Sequence, residues 1–229
     1  MQKKNSIELE FSRKYDRDHA QQYFIKHQDG LSRRLSHWRD EQIARKALRT
    51  AGDPGLVLDL PCGAGRFWPV LAEQPERVII AADNSVDMIN VARASQSPDI
   101  VSRVKTFKAS AFSIDLNENA VDCIFCIRLL HHFKNHEHRL AVLREFHRVS
   151  RDTLVVSLWV DGNFKSWRRR SLERRRAKSG RLGQNENRFV VSRYEIEQEF
   201  AESGWRVIGY QDFIPGYAMW RTYTLRKEI

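Results

Sequence analysis

Val57-Leu58-Asp59-Leu60-Pro61-Cys62-Gly63-Ala64-Gly65-Arg66-Phe67 reads as a short buried strand, a tight turn and the start of a helix. Glycines at 63 and 65 allow the backbone to pass close to a ligand where a Cβ would block it. Free amides at a helix start favour a carboxylate or a phosphate. The next apolar run, residues 77–82, ends in Ala81-Ala82-Asp83. Asp83 therefore stands at the tip of the neighbouring strand, where a carboxylate can accept both hydroxyls of a ribose.

Outward from this turn the chain alternates. Residues 104–108, 121–127 and 153–160 read as further short strands. Residues 63–73, 85–94 and 136–149 read as helices, the second with Ser85 as N-cap and the third with Leu140, Leu143, Phe146 and Val149 on one stripe. Short apolar runs separated by helices predict a parallel sheet covered on both faces. The end departs from this pattern. A helix over 192–203, capped by Ser192 and ended by Gly204, precedes two strands, 205–213 and 218–225. They are joined through Ile214-Pro215-Gly216-Tyr217 as a hairpin on the sheet edge. Upstream, residues 6–50 read as two or three charged helices, broken by Gly52-Asp53-Pro54-Gly55.

Composition narrows the classes. The chain has 229 residues, 41% hydrophobic, with three cysteines and a net charge of +10. Twelve Phe and six Trp argue against wholesale disorder, and no apolar run reaches the roughly 18 residues of a membrane helix. The first residues, MQKKNSIELEFSRKYD, carry no apolar segment of a secretory signal. Few cysteines suit a reducing, cytoplasmic setting. Residues 163–188 hold ten basic residues against two acidic ones, so eight of the ten net charges sit in one element. The rest is nearly neutral.

A G-x-G turn followed by an acid serves two ligand families. Dinucleotide binders want a third glycine, and Trp68 stands there, which disfavours a nicotinamide oxidoreductase. S-adenosylmethionine has the ribose and adenine but no pyrophosphate. Four segments resemble a class I S-adenosylmethionine-dependent methyltransferase, similar to the type 11 branch with the ubiquinone and menaquinone C-methyltransferases. They are residues 59–65, 83–89, 107–112 and 121–133, and the resemblance covers about residues 35–160. It implies an α/β, Rossmann-like, doubly wound seven-stranded sheet, mostly parallel with an antiparallel C-terminal strand and helices on both faces. It implies a single domain over 1–229: a helical lid over 1–50 with Tyr15, Tyr23 and His27, a cofactor core over 51–160, a basic crossover over 161–191, and a terminal helix and hairpin over 192–229. S-adenosylmethionine would be held by Asp59, Leu60, Pro61, Cys62, Gly63 and Gly65, by Asp83, Asn84 and Met88, by Ser110, Ala111 and Phe112, and by Ile127. Two positions depart from the pattern. Pro61 stands where glycine is common, and Ser110 stands where an aspartate usually takes the adenine amino group.

Other residues are weighed the same way. Cys123-Ile124-Phe125-Cys126 matches C-x-x-C by letter, but positions three apart on a strand face opposite sides, so no metal site is expected. Pro61-Cys62 sits in the turn and reads as a small turn residue rather than a nucleophile. His131 and His132 follow the fourth strand. Either is a general base or part of a packed junction. Arg128 could hold a substrate carboxylate or phosphate, or pair with an acid of the N-terminal helices. With Tyr15, Tyr23, Trp167 and Tyr217 it forms the expected acceptor side, for a small anionic metabolite or a cell-envelope precursor such as a phosphorylated lipid or sugar. The Arg168–Arg176 segment reads as a solvated lid helix, an RNA contact or a phosphate contact, its arginines wrapping most of the circumference. An RNA methyltransferase and a binding module that senses the cofactor without transferring its methyl remain the alternatives.

Overall fold

The computed structural model describes residues 31–178 and 188–228. Seven strands form one sheet: β1 (Leu56–Asp59), β2 (Val78–Asp83), β3 (Val104–Lys108), β4 (Val121–Cys126), β5 (Ser150–Trp159), β6 (Trp205–Asp212) and β7 (Trp220–Lys227). The order is β3-β2-β1-β4-β5-β7-β6. The first five strands pair in parallel, and β7 runs antiparallel to both β5 and β6. The fold is the seven-stranded Rossmann-like sheet expected from the resemblance. The hairpin is not simply appended, because β7 lies inside the sheet and β6 forms the edge.

Alternation along the strands sorts the core. Leu58, Ile124, Cys126, Leu154 and Val156 face one side, where helices α5 (His136–Val149) and α7 (Arg193–Glu202) cover them with Leu143, Phe146, Ile196 and Phe200. Val57, Cys123, Phe125 and Val155 face the other, under Ala44, Ala47 and Leu48 of α1 (Leu31–Thr50) and Val70 and Leu71 of α2 (Trp68–Leu71). Cys123 and Cys126 thus lie on opposite faces. α3 (Val86–Ser95) packs Ile89 and Ala92 against Ala81 and Trp68. α5 and α7 are clamped by a buried ion pair in which Arg139 donates to both oxygens of Glu199, at 2.8 and 2.5 Å, and to the Phe133 and Lys134 carbonyls.

Three elements differ from the sequence expectation. The helix expected over 63–73 is a single turn, α2, because Gly63 and Gly65 adopt φ of +52° and +69°, which ends helical continuity before Trp68. A short helix α4 (Pro98–Ser102) leads into β3. Ser192 stands at the N-cap of α7 without a side-chain cap bond, whereas the Ser85 hydroxyl does accept from the Met88 amide at 3.3 Å. Within the expected 1–50 lid, α1 packs its second half into the core and contacts β6 and β7. Tyr15, Tyr23 and His27 lie outside the described residues.

Candidate cofactor and acceptor site

The strand ends of β1, β2 and β4 converge on a cavity of about 1130 Å³ including its open mouth. Of the expected cofactor residues, Leu60, Pro61, Cys62 and Gly63 line it from the turn, and Asp83, Asn84 and Met88 from β2 and α3. Ser110, Ala111 and Phe112 line it after β3, and Ile127 after β4. Arg128 and His132 also line it, together with Arg66, Phe67, Leu129 and Phe133, which lie within the quoted segments but were not among the expected site residues. Phe67 could have been found from the sequence, since it closes the turn. Arg66 could not, because its partners are remote in the chain.

Asp83 is fixed at the floor. Its two oxygens accept the Gly63 amide at 3.0 Å and the Ser85 amide at 2.9 Å. Burial raises its pKa, and the amides of Ser85, Gly63 and Asn84 pull it back. A carboxylate has about four acceptor positions, more than these amides take up, so acceptor capacity remains for a ligand. Asp59 and Gly65 do not line the cavity. Asp59 is buried behind the turn, and its Oδ2 has no hydrogen-bond partner among the described residues. Its pKa is pushed well up by burial and then by the Asp83 charge, with the Trp68 indole N–H opposing from beyond a formed hydrogen bond. Gly65 serves packing: a Cβ there would stand 2.9 Å from the Trp68 ring and 3.1 Å from Ala92 Cβ. The expected close ligand approach at Gly65 is therefore corrected to close helix approach. Burial and the two acids hold the Cys62 thiol above its usual range, which keeps it protonated.

The opposite wall is positive. Arg66 and Arg128 both donate to the same Asp40 oxygen of α1, at 2.5 and 2.6 Å. Arg66 also donates to His37 Nδ1 at 3.0 Å, and His37 Nε2 faces Glu41 at 3.2 Å. Burial, and then Arg66, keeps the His37 pKa below its usual value. Arg128 sits at φ +67°, its amide donating to Ser157 Oγ, its guanidinium 5.0 Å above the Trp220 ring. Arg128 pairs with an acid of the N-terminal helix, Asp40, and its side chain also lines the cavity.

The two histidines separate. They share a 3₁₀ turn, Leu130–His132, yet His132 lines the cavity and His131 does not. His131 is buried among Trp159, Trp220 and the His132 ring. Burial, then the charges of His132, Arg188 and Arg128, push its pKa down to about 2. Of the two histidines weighed as a base, His132 is therefore the one on the cavity wall, and His131 stands in the packed junction behind it. Trp167 and Tyr217, expected at the acceptor side, do not line this cavity. They meet Phe164 at 5.9 and 5.8 Å in a separate exposed cluster. Among the described residues no group of three or more His, Cys, Asp or Glu could hold a metal.

Residues 57–153 match the family model described as a methyltransferase domain. With strand order, turn and acidic strand tip all in place, one assignment follows. The chain carries a class I S-adenosylmethionine-dependent methyltransferase domain. An uncharacterized methyltransferase of Schizosaccharomyces pombe is 29% identical over 116 residues, 50% of this chain and 40% of that protein. A tRNA (carboxymethyluridine(34)-5-O)-methyltransferase of Macaca fascicularis is 22% identical over 154 residues, 66% of this chain and 22% of that protein. The chain thus spans less than half the length of these curated relatives. The magnesium protoporphyrin IX methyltransferase of Synechocystis PCC 6803, solved with S-adenosylhomocysteine, superposes with a TM-score of 0.75 at 15% identity, covering 95% of this chain and 98% of that one. At that identity the likeness is one of fold. The methyltransferase domain of this chain offers an adenosyl ligand the Asp83 carboxylate on the lining of the cavity, so the residues present fit the cofactor. No helix among the described residues is long and apolar enough to cross a membrane.

Proposed function

We propose that the chain transfers the methyl group of S-adenosylmethionine to an anionic small-molecule acceptor. The observation that carries this reading is the pair of guanidiniums on the cavity wall, Arg66 and Arg128, which both donate to the Asp40 carboxylate. In this reading Asp83 takes the ribose hydroxyls, Met88, Ser110 and Phe112 take the adenine, and the 60–63 turn takes the methionine part. When bound, the cofactor supplies a methyl already activated by its sulfonium for in-line displacement. The chain then mainly has to align the reactants and exclude water. Arg66 and Arg128 orient the acceptor by its negative group, and a bidentate guanidinium contact fixes direction as well as position. His132 is the wall imidazole able to take the acceptor's proton where the acceptor atom carries one. Phe67, Phe112 and Phe133 make the surrounding wall apolar.

The test is incubation with labelled cofactor and a fractionated cell extract. Label is expected in small molecules retained by an anion exchanger, and Arg128→Gln should abolish most of it. Label confined to neutral or cationic compounds would overturn the proposal. A second reading, an RNA acceptor, is favoured by the match to the tRNA methyltransferase and by the arginine-rich helix. It expects ribonuclease-sensitive label in the RNA fraction.

A further inference from the structure

The arginine-rich helix α6 (Phe164–Lys178) has two unlike faces. On the inner one, Ser166 is buried, Arg169 bonds Glu173 at 2.7 Å and the Arg188 carbonyl, and Arg170 reaches Asp161 at 3.1 Å. On the outer one, positions 164, 167, 168, 171 and 175 follow the i, i+3, i+4, i+7, i+11 spacing of a single stripe. That stripe carries Phe164, Trp167, Arg168 and Arg175, with Arg174 beside it. Arg168, Arg174 and Arg175 have no partner among the described residues. The pairing of Arg169 and Arg170 therefore turns a sequence whose arginines surround the helix into a helix with one free basic side.

Large apolar groups lie on the same side. Trp167 is 65% exposed, Phe164 48%, Ile214 46% and Tyr217 43%. The 214–217 turn and the first turn of α6 are held together, because the Phe164 amide donates to the Gly216 carbonyl at 2.9 Å and the Lys165 amide to the Tyr217 carbonyl at 3.1 Å. Asn163 caps the helix, its Oδ1 accepting the Ser166 amide and its Nδ2 donating to the Val160 carbonyl at 2.7 Å. The patch is thus a fixed surface, not a set of loose side chains. Exposed Trp, Phe and Ile beside uncompensated arginines combine the two features that hold a protein at an anionic lipid interface. Nucleic acid would want open ring faces. Here Phe164 lies flat against Tyr217, at 5.8 Å and 10°, and Lys165 stands 5.1 Å over the Tyr217 ring. Ile214 offers no stacking surface at all.

We propose that α6 and the 214–217 turn dock the protein on an anionic lipid bilayer, with Trp167, Phe164 and Ile214 entering the interface and Arg168, Arg174 and Arg175 facing the headgroups. This stands apart from the identity of the methyl acceptor. The test is sedimentation of the whole chain with vesicles of phosphatidylcholine alone and of phosphatidylcholine with about one-third phosphatidylglycerol. Binding is expected to favour the anionic vesicles by about tenfold or more. The triple variant Arg168→Gln, Arg174→Gln, Arg175→Gln should lose roughly a hundredfold, at about fivefold per arginine. Trp167→Ser should lose about tenfold. Tryptophan fluorescence of the unaltered protein should be quenched by brominated lipid, and quenching should fall in Trp167→Phe. These positions are exposed, so unchanged melting curves are expected; Trp167→Ser alone decides the matter where the triple variant fails to fold. Equal binding to both vesicles, no binding, or variants that bind like the unaltered protein would overturn the proposal. So would preferential capture of an oligouridylate that the same substitutions abolish.

Discussion

Asp83→Asn should separate ligand affinity from folding. The substitution keeps the shape and one carbonyl oxygen but replaces the other oxygen with an amide donor. Asn can still accept from either Gly63 or Ser85, whose amides now lie 3.0 and 2.9 Å from the carboxylate. It cannot accept from both, so one buried N–H loses its partner, at a cost of about 1–3 kcal/mol. Against this, the ionised carboxylate is itself costly at this depth, as its raised pKa records. The sign follows from linkage. A folded-state pKa above the unfolded value means stability present at low pH and lost as pH rises through the folded pKa, so the neutral Asn recovers part of that loss near neutrality. The two contributions oppose, and net destabilisation should stay near 1 kcal/mol, or about 2–4 °C in Tm.

Affinity has no such compensation. The ribose hydroxyls would meet a carboxylate in the unaltered protein, and hydrogen bonds to a charged acceptor contribute about 1.5–3 kcal/mol each. Losing the charge and one acceptor position should weaken S-adenosylmethionine and S-adenosylhomocysteine by roughly a hundredfold. Isothermal titration of both ligands, with a thermal melt of the same preparation, reads the two effects separately. A folded variant that binds within about threefold of the unaltered protein would refute the assignment of Asp83 to the ligand.

Further outcomes follow from other contacts. His131→Phe keeps a ring between Trp159 and Trp220 and removes the titration. Because the folded pKa is depressed, the unaltered protein loses stability as pH falls below 6.5, by up to about 2 kcal/mol near pH 5, and urea melts should show this slope flattened in the variant. Gly65→Ala should destabilise by roughly 2–4 kcal/mol through ring overlap plus left-handed strain. Gly63→Ala, whose Cβ would meet nothing nearer than Met88 at 3.6 Å, should cost only the strain of about 1–2 kcal/mol; equal costs in thermal melts would contradict the packing role. Arg128→Gln should raise the KM of an anionic acceptor about tenfold or more, with S-adenosylhomocysteine affinity changed less than about twofold by titration.

The parts of the site carried by local pattern were readable from sequence. The β1 turn, the acid closing β2, the Ser85 cap and the opposed cysteines each depend on neighbours within a few residues, where period and steric preference decide. What was not readable depends on chain separation. Asp40 meets Arg66 across 26 residues and Arg128 across 88, and Arg139 meets Glu199 across 60. No spacing rule links such pairs, because the sheet order alone brings them together. His131 and His132 show the same limit at the shortest range. They are adjacent, yet the 3₁₀ turn sends one into the aromatic core and the other to the cavity, and two letters alike carry no sign of it. The basic segment, whose arginines wrap most of the circumference, shows a side only once the helix is seated and Glu173 and Asp161 take up Arg169 and Arg170.

Asp59 extends the electrostatic reading from one wall of the cavity to both. Asp83 lies on the floor of the cavity with Asp59 behind the 60–63 turn, and the Arg66 and Arg128 guanidiniums lie on the wall, so the field across the cavity runs from an acidic floor to a basic wall. Asp59 is the member whose charge is withheld, since burial and Asp83 both favour its protonated form. A cationic ligand arriving above the turn reverses that balance by stabilising the carboxylate, and Coulomb interaction over a few ångströms in partly buried surroundings is enough to shift a pKa by one or two units. Binding of S-adenosylmethionine should therefore release part of a proton. Titrations in phosphate and in Tris, whose ionisation enthalpies differ, should give different binding heats for the unaltered protein and equal heats for Asp59→Asn. S-adenosylhomocysteine lacks the sulfonium and should release less, so the variant should also narrow the difference in affinity between cofactor and product. Identical heats in both buffers for the unaltered protein would show that Asp59 does not sense the ligand's charge, and its buried, unpartnered oxygen would then be a feature of the turn alone.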